Sequence, residues 1–182
     1  MSGTNFIVPP RSWDSIREQA EHIRQTLGLG EVPVFPVIDV IERVMVPHAD
    51  GFHFIVGDDE MMAGAEGYTA PDGSFIMLHE KVYAAALRMD GRARFTAAHE
   101  LGHWFMHTNV PLARASDNEA VKPFRLSEPQ ANQSAAEILM PIGMISRGDM
   151  PATVAARFAV SLEAAEYRTE YLRSKGLIRA AE

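Results

Sequence analysis

Three of the chain's seven histidines are spaced four residues apart in the stretch FTAAHELGHWFMH, which runs from Phe95 to His107. If this stretch is helical, His99 and His103 differ by only about 40° around the axis and lie one turn apart on the same face. Two imidazoles placed in this way can bind one metal ion. Glu100 lies about 60° from His103, beside the ion but angled away from it. This HExxH pattern predicts two metal ligands and a carboxylate base for a metal-activated water.

A catalytic zinc usually takes three protein ligands and a water, so the two histidines of this helix need a third ligand from the rest of the chain. His107 continues the four-residue step, but it lies about 12 Å along the axis from His99. We therefore interpret His107 as a packing residue or as a hydrogen-bond partner of a ligand. The extended pattern HExxHxxGxxH is excluded, because Met106 and Asn109 stand where it needs glycine and histidine.

The segment LSEPQANQSAAEILMP, residues 126–141, predicts a second helix that could supply the missing ligand. Ser127 can cap this helix, and Gln130 would then complete a capping box. Pro129 suits the first turn of a helix, and Pro141 is expected to end it.

Two residues four apart on this second helix are candidates for the metal site. The carboxylate of Glu128 can bind a metal, and the amide of Asn132 can bond the outer nitrogen of a ligating histidine. Glu119, in the preceding loop, and Glu137, about two turns further along the helix, are rival ligands. The spacing alone leaves this choice open.

Helices and short strands are expected to alternate before the motif. Ser12 can cap a helix that starts at Trp13 and ends before Gly28. Pro36 suits the first turn of another helix, which Pro47 is expected to end. The apolar face of this other helix is predicted to comprise Val37, Ile41 and Val44.

The region between these helices and the HExxH motif is predicted to form a β-sheet. Phe52, Phe54 and Val56 alternate with other residues, and GYTAPDGSFIML predicts a hairpin that turns at Asp72 and Gly73. The strand SFIML could be an edge along which an extended substrate adds, or it could be an interior strand. Both interpretations remain open from the sequence.

The chain is therefore predicted to have an α+β fold, mostly helical, with a small antiparallel sheet and an HExxH helix. We expect an N-terminal helix over residues 1–30 and a zincin-like domain over residues 31–182, packed as a single domain. That domain should end in a helical hairpin, in which Leu162, Ala165, Tyr167 and Leu172 are expected to pack on the core.

Composition narrows the range of functions. The chain has 182 residues, of which 47% are hydrophobic, so it can bury a sizeable core. It has no cysteine, so any metal must be held by histidine, carboxylate or water. The net charge of −7 argues against a protein that coats nucleic acid or anionic lipid. No membrane segment or export signal is indicated, and we expect a cytoplasmic protein.

The two segments AHELGHWFMH and EPQANQSAAEILMP together resemble the ImmA/IrrE-type metallopeptidases, whose motifs are close to AHELGHxxLH and ExxANxFAxxLLMP. The C-terminal run VAARFAVSLEAAEYRTEYLRSKGLI is also similar to that family, and the resemblance covers about residues 30–180. Two residues depart from the family pattern. Ser134 stands where phenylalanine is common, and Gln130 stands where a second acid is common.

The resemblance implies a gluzincin-like site that holds one zinc ion, with manganese as the alternative metal. It assigns His99, His103 and Glu128 as ligands and Glu100 as the catalytic carboxylate, with Asn132 supporting a ligand from behind. It further implies site-specific cleavage of a protein partner, a helix-turn-helix transcriptional repressor. Tyr68, Tyr83 and His107 are candidates for stabilising the oxyanion.

Two functions other than a peptidase remain alternatives for this sequence. A metal-containing regulator could bind a repressor without cutting it, although a structural metal site needs no carboxylate like Glu100 beside it. The C-terminal hairpin could instead be a helix-turn-helix that binds DNA directly. Residues 151–182 contain five basic and four acidic residues, which is too little positive charge to favour a phosphate-binding surface.

Overall fold

The computed structural model describes residues 5–114 and 121–178, in which helices and short strands alternate as predicted. The strands are β1 (Phe6–Ile7), β2 (His53–Gly57), β3 (Gly67–Thr69), β4 (Phe75–His79) and β5 (Ala113–Arg114). The α-helices are α1 (Trp13–Thr26), α2 (Val37–Asp39), α3 (Val46–His48), α4 (Asp59–Met62), α5 (Glu80–Leu87), α6 (Gly91–His107), α7 (Ser127–Leu139), α8 (Pro151–Phe158) and α9 (Leu162–Ser174). A π-helix (Val40–Met45) joins α2 to α3, and short 3₁₀ turns cover Pro123–Arg125 and Ile142–Met144.

The first helix is confirmed, whereas the second differs from its prediction. The Ser12 hydroxyl caps α1 by accepting a hydrogen bond from the Ser15 N–H. In the second helix the central turns are π-helical, so Met45 is buried where Val44 was expected. A π-helix takes more residues per turn than an α-helix, and this shifts the buried face by one residue. Pro47 lies inside the final turn instead of ending the helix before it.

The main sheet is mixed, with the strand order β2-β4-β3. The hairpin of β3 and β4 is antiparallel as predicted, with its turn at Asp72 and Gly73, where Gly73 has a φ of +76°. However, β2 pairs with β4 in parallel, so the expectation of a purely antiparallel sheet is wrong. The chain leaves β2 through α4 and returns along β3, which allows β4 to run in the same direction as β2.

The strand SFIML is therefore the interior strand β4, and the edge of the sheet is β3. Ile76 and Leu78 of β4 are fully buried. A separate antiparallel pair of β1 and β5 lies elsewhere in the fold.

The HExxH helix α6 lies at the centre of the molecule, between the sheet, α5 and α7. Ala97, Ala98 and Leu101 of α6 share one buried core with Ile138 of α7. Ala20 of α1 belongs to the same core, so the N-terminal helix is part of one compact domain. No helix in the described part of the chain is long and apolar enough to cross a membrane.

The start of α7 is not capped as predicted. Leu126 is the N-cap residue, and the hydroxyl of Ser127 instead accepts a hydrogen bond from the Phe6 N–H at 3.1 Å. Gln130 is fully buried and makes tertiary contacts in place of a capping box. The N-terminal segment runs alongside residues 124–127. It bonds to the side chains of Ser127 and Gln130, which were expected to cap the helix.

The C-terminal hairpin of α8 and α9 is present, and Ser161 caps α9 by accepting a hydrogen bond from Ala164 N–H. Ala165 and Leu172 are buried as expected. Leu162 and Tyr167 are 51% and 68% exposed, so their predicted packing is wrong. Tyr167 lies about 160° around the helix from Ala165, on the solvent side.

A buried ion pair joins this hairpin to α7. Arg168 donates two hydrogen bonds to the Glu137 carboxylate and a third to the Met140 carbonyl, and both charged side chains are about 1% exposed. Removing one partner of such a pair leaves an uncompensated buried charge.

We expect Arg168→Met to lower the free energy of unfolding by about 3–5 kcal/mol, because buried Glu137 would lose its hydrogen-bonded cation and keep only the more distant Arg17, 3.6 Å away. Chemical denaturation measures this change. The control is Arg43→Met, since the Arg43–Asp39 pair is largely exposed and should contribute less than about 1 kcal/mol. Equal effects of the two substitutions would show that the buried pair does not anchor the hairpin.

Candidate metal centre and active site

Two helices bring the three predicted ligands together. His99 and His103 of α6 face Glu128 of α7, and one ligand atom from each lies within 4.8 Å of the others. The Nε2 atoms of the two histidines are 2.9 Å apart. One carboxylate oxygen of Glu128 lies 3.3 Å from Nε2 of His99, and the other lies 3.3 Å from Nε2 of His103. The three side chains therefore converge on one point.

The donor set and its spacing fit a zinc ion. Tetrahedral zinc, with bonds of about 2.0–2.1 Å, places neighbouring ligand atoms about 3.3 Å apart. The three separations in the structure agree with this value to within a few tenths of an ångström. Two imidazole nitrogens and one carboxylate also form the ligand type of many catalytic zinc sites, which keep a further position for water.

Each histidine of the triad has a hydrogen-bond partner behind it. The Nδ1 atom of His99 lies 2.9 Å from Oδ1 of Asn132, which matches the role that the resemblance implies for this amide. The Nδ1 atom of His103 lies 2.9 Å from Nδ1 of His107. Burial, followed by the nearby His103, lowers the pKa of His107 to about 4, so His107 is neutral near pH 7.

The triad residues also perturb each other's protonation. Burial alone would lower the pKa of His99, but the carboxylates of Glu128 and Glu100 raise it above its ordinary value. Burial likewise opposes the charged form of Glu128, yet its bonds to His103 and His99 hold its pKa far below the usual range. These opposing effects leave the site favouring a positive charge, whether a proton or a metal ion.

Glu100 is held next to the triad by the edge strand β3. The Thr69 hydroxyl lies 2.7 Å from Oε2 of Glu100 and donates to it, and Glu100 is only 6% exposed. A Cβ atom added at Gly67 would lie 2.6 Å from Cγ of Glu100. Gly67 is therefore needed for β3 to approach the carboxylate this closely. Neither Thr69 nor Gly67 was predicted from the sequence, because their contacts with Glu100 join segments more than 30 residues apart.

A cleft of about 620 Å³ opens in front of these side chains. Its walls include the residues 63–71, the triad, Glu100 and Leu112. Of the three candidates for stabilising an oxyanion, Tyr68 lines this cleft and is 49% exposed. Tyr83 donates instead to the Glu42 carboxylate. His107 lines the cleft but is bonded to His103.

The two candidate ligands on α7 lie in different surroundings, and only Glu128 lies beside the histidines. Glu137 is bonded to Arg168 on another side of the helix, so it is not available to the triad. Glu119 lies outside the described residues.

An HExxH helix packed against a second helix that supplies a glutamate, with an open cleft in front of these side chains, is the arrangement of a metallopeptidase. A family model described as the IrrE N-terminal-like domain, a peptidase family, matches residues 60–170. This chain belongs to that family. A search of curated proteins finds no match. The matched range includes the triad, Glu100 and Asn132, and it excludes the N-terminal segment.

We expect the affinity for zinc to fall as the pH decreases, and the fall should begin above about 6.5, the ordinary pKa of histidine. The raised pKa of His99 keeps a proton on the ring at higher pH than usual, and this proton competes with the metal. Chelator competition at a series of pH values measures the effect. His22→Gln, which changes an exposed histidine, should leave the curve unchanged. A constant affinity between about pH 8 and 5.5 would contradict the role of His99 as a ligand.

Proposed function

We propose that the protein is a zinc-dependent endopeptidase that cleaves a regulatory protein at a specific site. The observation that carries this proposal is the position of Glu100. Its carboxylate lies beside the His99–His103–Glu128 triad in the same open cleft. A structural metal site has no need of such a group, whereas a hydrolase needs a base next to its water.

His99, His103 and Glu128 would hold the ion. When bound, zinc supplies Lewis acidity, which polarises a peptide carbonyl and lowers the pKa of a water molecule. Glu100 accepts the proton of the attacking water and afterwards delivers it to the leaving amine. The Thr69 hydroxyl holds the Glu100 carboxylate in position through this exchange. Tyr68, a half-exposed residue of the cleft, is the candidate donor to the oxyanion.

The edge strand β3 is suited to bind an extended substrate. The N–H of Ala70 bonds to Phe75, and the carbonyl of Glu66 accepts from His79, both across the β3–β4 pair. Because backbone groups alternate along a strand, those of Gly67 and Thr69 point away from β4. No strand in the described part of the chain pairs with this outer edge. A peptide can therefore add to β3 in front of Glu100.

For the substrate we propose a helix-turn-helix repressor in the cytoplasm. The family resemblance supports this choice. The net charge of −7 also favours association with a basic partner, such as a DNA-binding protein. Direct binding of DNA by this chain is disfavoured, because the exposed face of α9 carries Glu163, Glu166 and Glu170.

We expect Glu100→Gln to retain zinc but to reduce cleavage on the order of 10²–10⁴-fold, because the base is lost while the ligands remain. The test incubates the zinc-loaded protein with the repressor encoded nearest its gene and follows fragments by mass spectrometry. Glu128→Ala and a chelated sample are the controls, and both should lose metal and cleavage together.

A single fragment pair formed only by the intact protein with zinc would support the proposal and identify the substrate. Zinc retention with a stable complex but no fragments would instead show a regulator that sequesters the repressor. Equal cleavage by Glu100→Gln would exclude Glu100 as the base.

We expect Gly67→Ala to reduce cleavage on the order of 100-fold while zinc affinity is unchanged, since the new methyl group displaces the Glu100 carboxylate. Gly143→Ala is the matched control, because a Cβ atom there meets no neighbour within 4 Å. Steady-state kinetics and zinc titration of both variants measure the difference. Full activity of Gly67→Ala would show that the close approach of β3 has no role in positioning Glu100.

A further inference from the structure

The buried side chain of Gln130 has its amide orientation set by two backbone carbonyls. Its Nε2 atom lies 3.0 Å from the carbonyl oxygen of Pro9 and 2.8 Å from that of Phe124. A carbonyl oxygen only accepts hydrogen bonds, so the NH₂ group of the amide must face both of them. The Oε1 atom of Gln130 therefore faces His107, whose Nε2 atom is 3.1 Å away.

This orientation determines which nitrogen of His107 carries the proton. Since Oε1 of Gln130 is an acceptor, the Nε2 atom of His107 must be the donor. His107 is buried, and its ring nitrogens contact the Gln130 amide and the His103 ring rather than a carboxylate, so the neutral imidazole with one N–H is favoured. The Nδ1 atom of His107 is then left as an acceptor. That atom lies 2.9 Å from Nδ1 of His103, which must therefore carry the proton of this second bond.

The protonation of His103 and His99 determines which of their nitrogens face the metal site. With its proton on Nδ1, a neutral His103 directs the lone pair of Nε2 towards His99 and Glu128. The bond between His99 and Asn132 leaves Nε2 of His99 directed to the same point. The two Nε2 atoms and the Glu128 carboxylate are then all acceptors directed at one point, and a cation at that point would stabilise them.

We propose that Gln130 is a positioning residue that sets the tautomer of His103 through His107 and thereby prepares its Nε2 atom to bind metal. This inference rests on the proposed function only in taking His103 as a ligand. One donor of the amide also attaches the N-terminal segment, which lies outside the family match, to the metal site through the carbonyl of Pro9. A glutamate, which is common at this position in the family, would have no donors for the carbonyls of Pro9 and Phe124, so these two contacts require the glutamine of this chain.

The direct test is the tautomeric state of the histidines in the unmodified protein. Long-range ¹H–¹⁵N correlation spectra distinguish the Nδ1–H form from the Nε2–H form, and single histidine substitutions assign the signals. We expect His107 in the Nε2–H form with and without zinc, and His103 in the Nδ1–H form when zinc is bound. An Nδ1–H form of His107 would overturn the proposal.

The second test compares two glutamines of α7. Gln130→Met removes both the NH₂ group and the oxygen of the side-chain amide. We expect zinc affinity to fall about 10–100-fold and the single tautomer of His107 to be lost. Gln133→Met is the matched control, because Gln133 bonds to Glu137 and not to a histidine. Its zinc affinity and histidine signals should be unchanged.

An unchanged zinc affinity in Gln130→Met, together with an unchanged His107 tautomer, would overturn the proposal even if the variant is less stable. Failure of the wild-type protein to bind zinc would refute the proposed function. The spectra of the metal-free protein would still show whether Gln130 determines the His107 tautomer, so the two failures are distinguishable.

Discussion

The close packing of α6 against α7 is the contact on which the rest of the site depends. It occurs at Gly102, where an added Cβ atom would lie 3.0 Å from Cβ of Ser134 and 3.2 Å from the Ala131 carbonyl oxygen. The absence of a side chain at Gly102 allows the two helices to approach closely. Glu128 can then reach His99 and His103, although its helix follows 20 residues after the motif helix ends. The serine at position 134, where the family commonly has phenylalanine, is small enough for this contact.

Around this contact, each polar group of the site has a specific partner. Asn132 and His107 lie behind the two histidines, and Thr69 holds Glu100 from the sheet. Buried polar groups are stable only when they are hydrogen-bonded, so these partners also restrict the rotation of the side chains that they contact. A site preorganised in this way needs little rearrangement when a metal or a substrate binds.

The sheet contributes both a support and a surface. One face of β3 lies against α6 and positions Glu100 through Thr69 and Gly67. Its residues also line the cleft, where we propose that an extended peptide binds. One short strand would then both hold the carboxylate and bind the substrate beside it. The parallel pairing of β2 with β4 places β3 at the edge, and this pairing was not predicted.

The sequence by itself determined the features that depend on one helix. The spacing of His99, Glu100 and His103 defines a metal-binding face because the helical period places these residues together whatever surrounds them. The α+β class, the hairpin turn and the capped starts of α1 and α9 were predicted for the same local reason. Tertiary structure alone decided the contacts between distant segments. It separated Glu128 from Glu137, turned Gln130 and Ser127 from helix caps into partners of the N-terminal segment, and brought Gly67 to Glu100. These choices depend on packing and hydrogen bonding across tens of residues, which local periodicity does not encode.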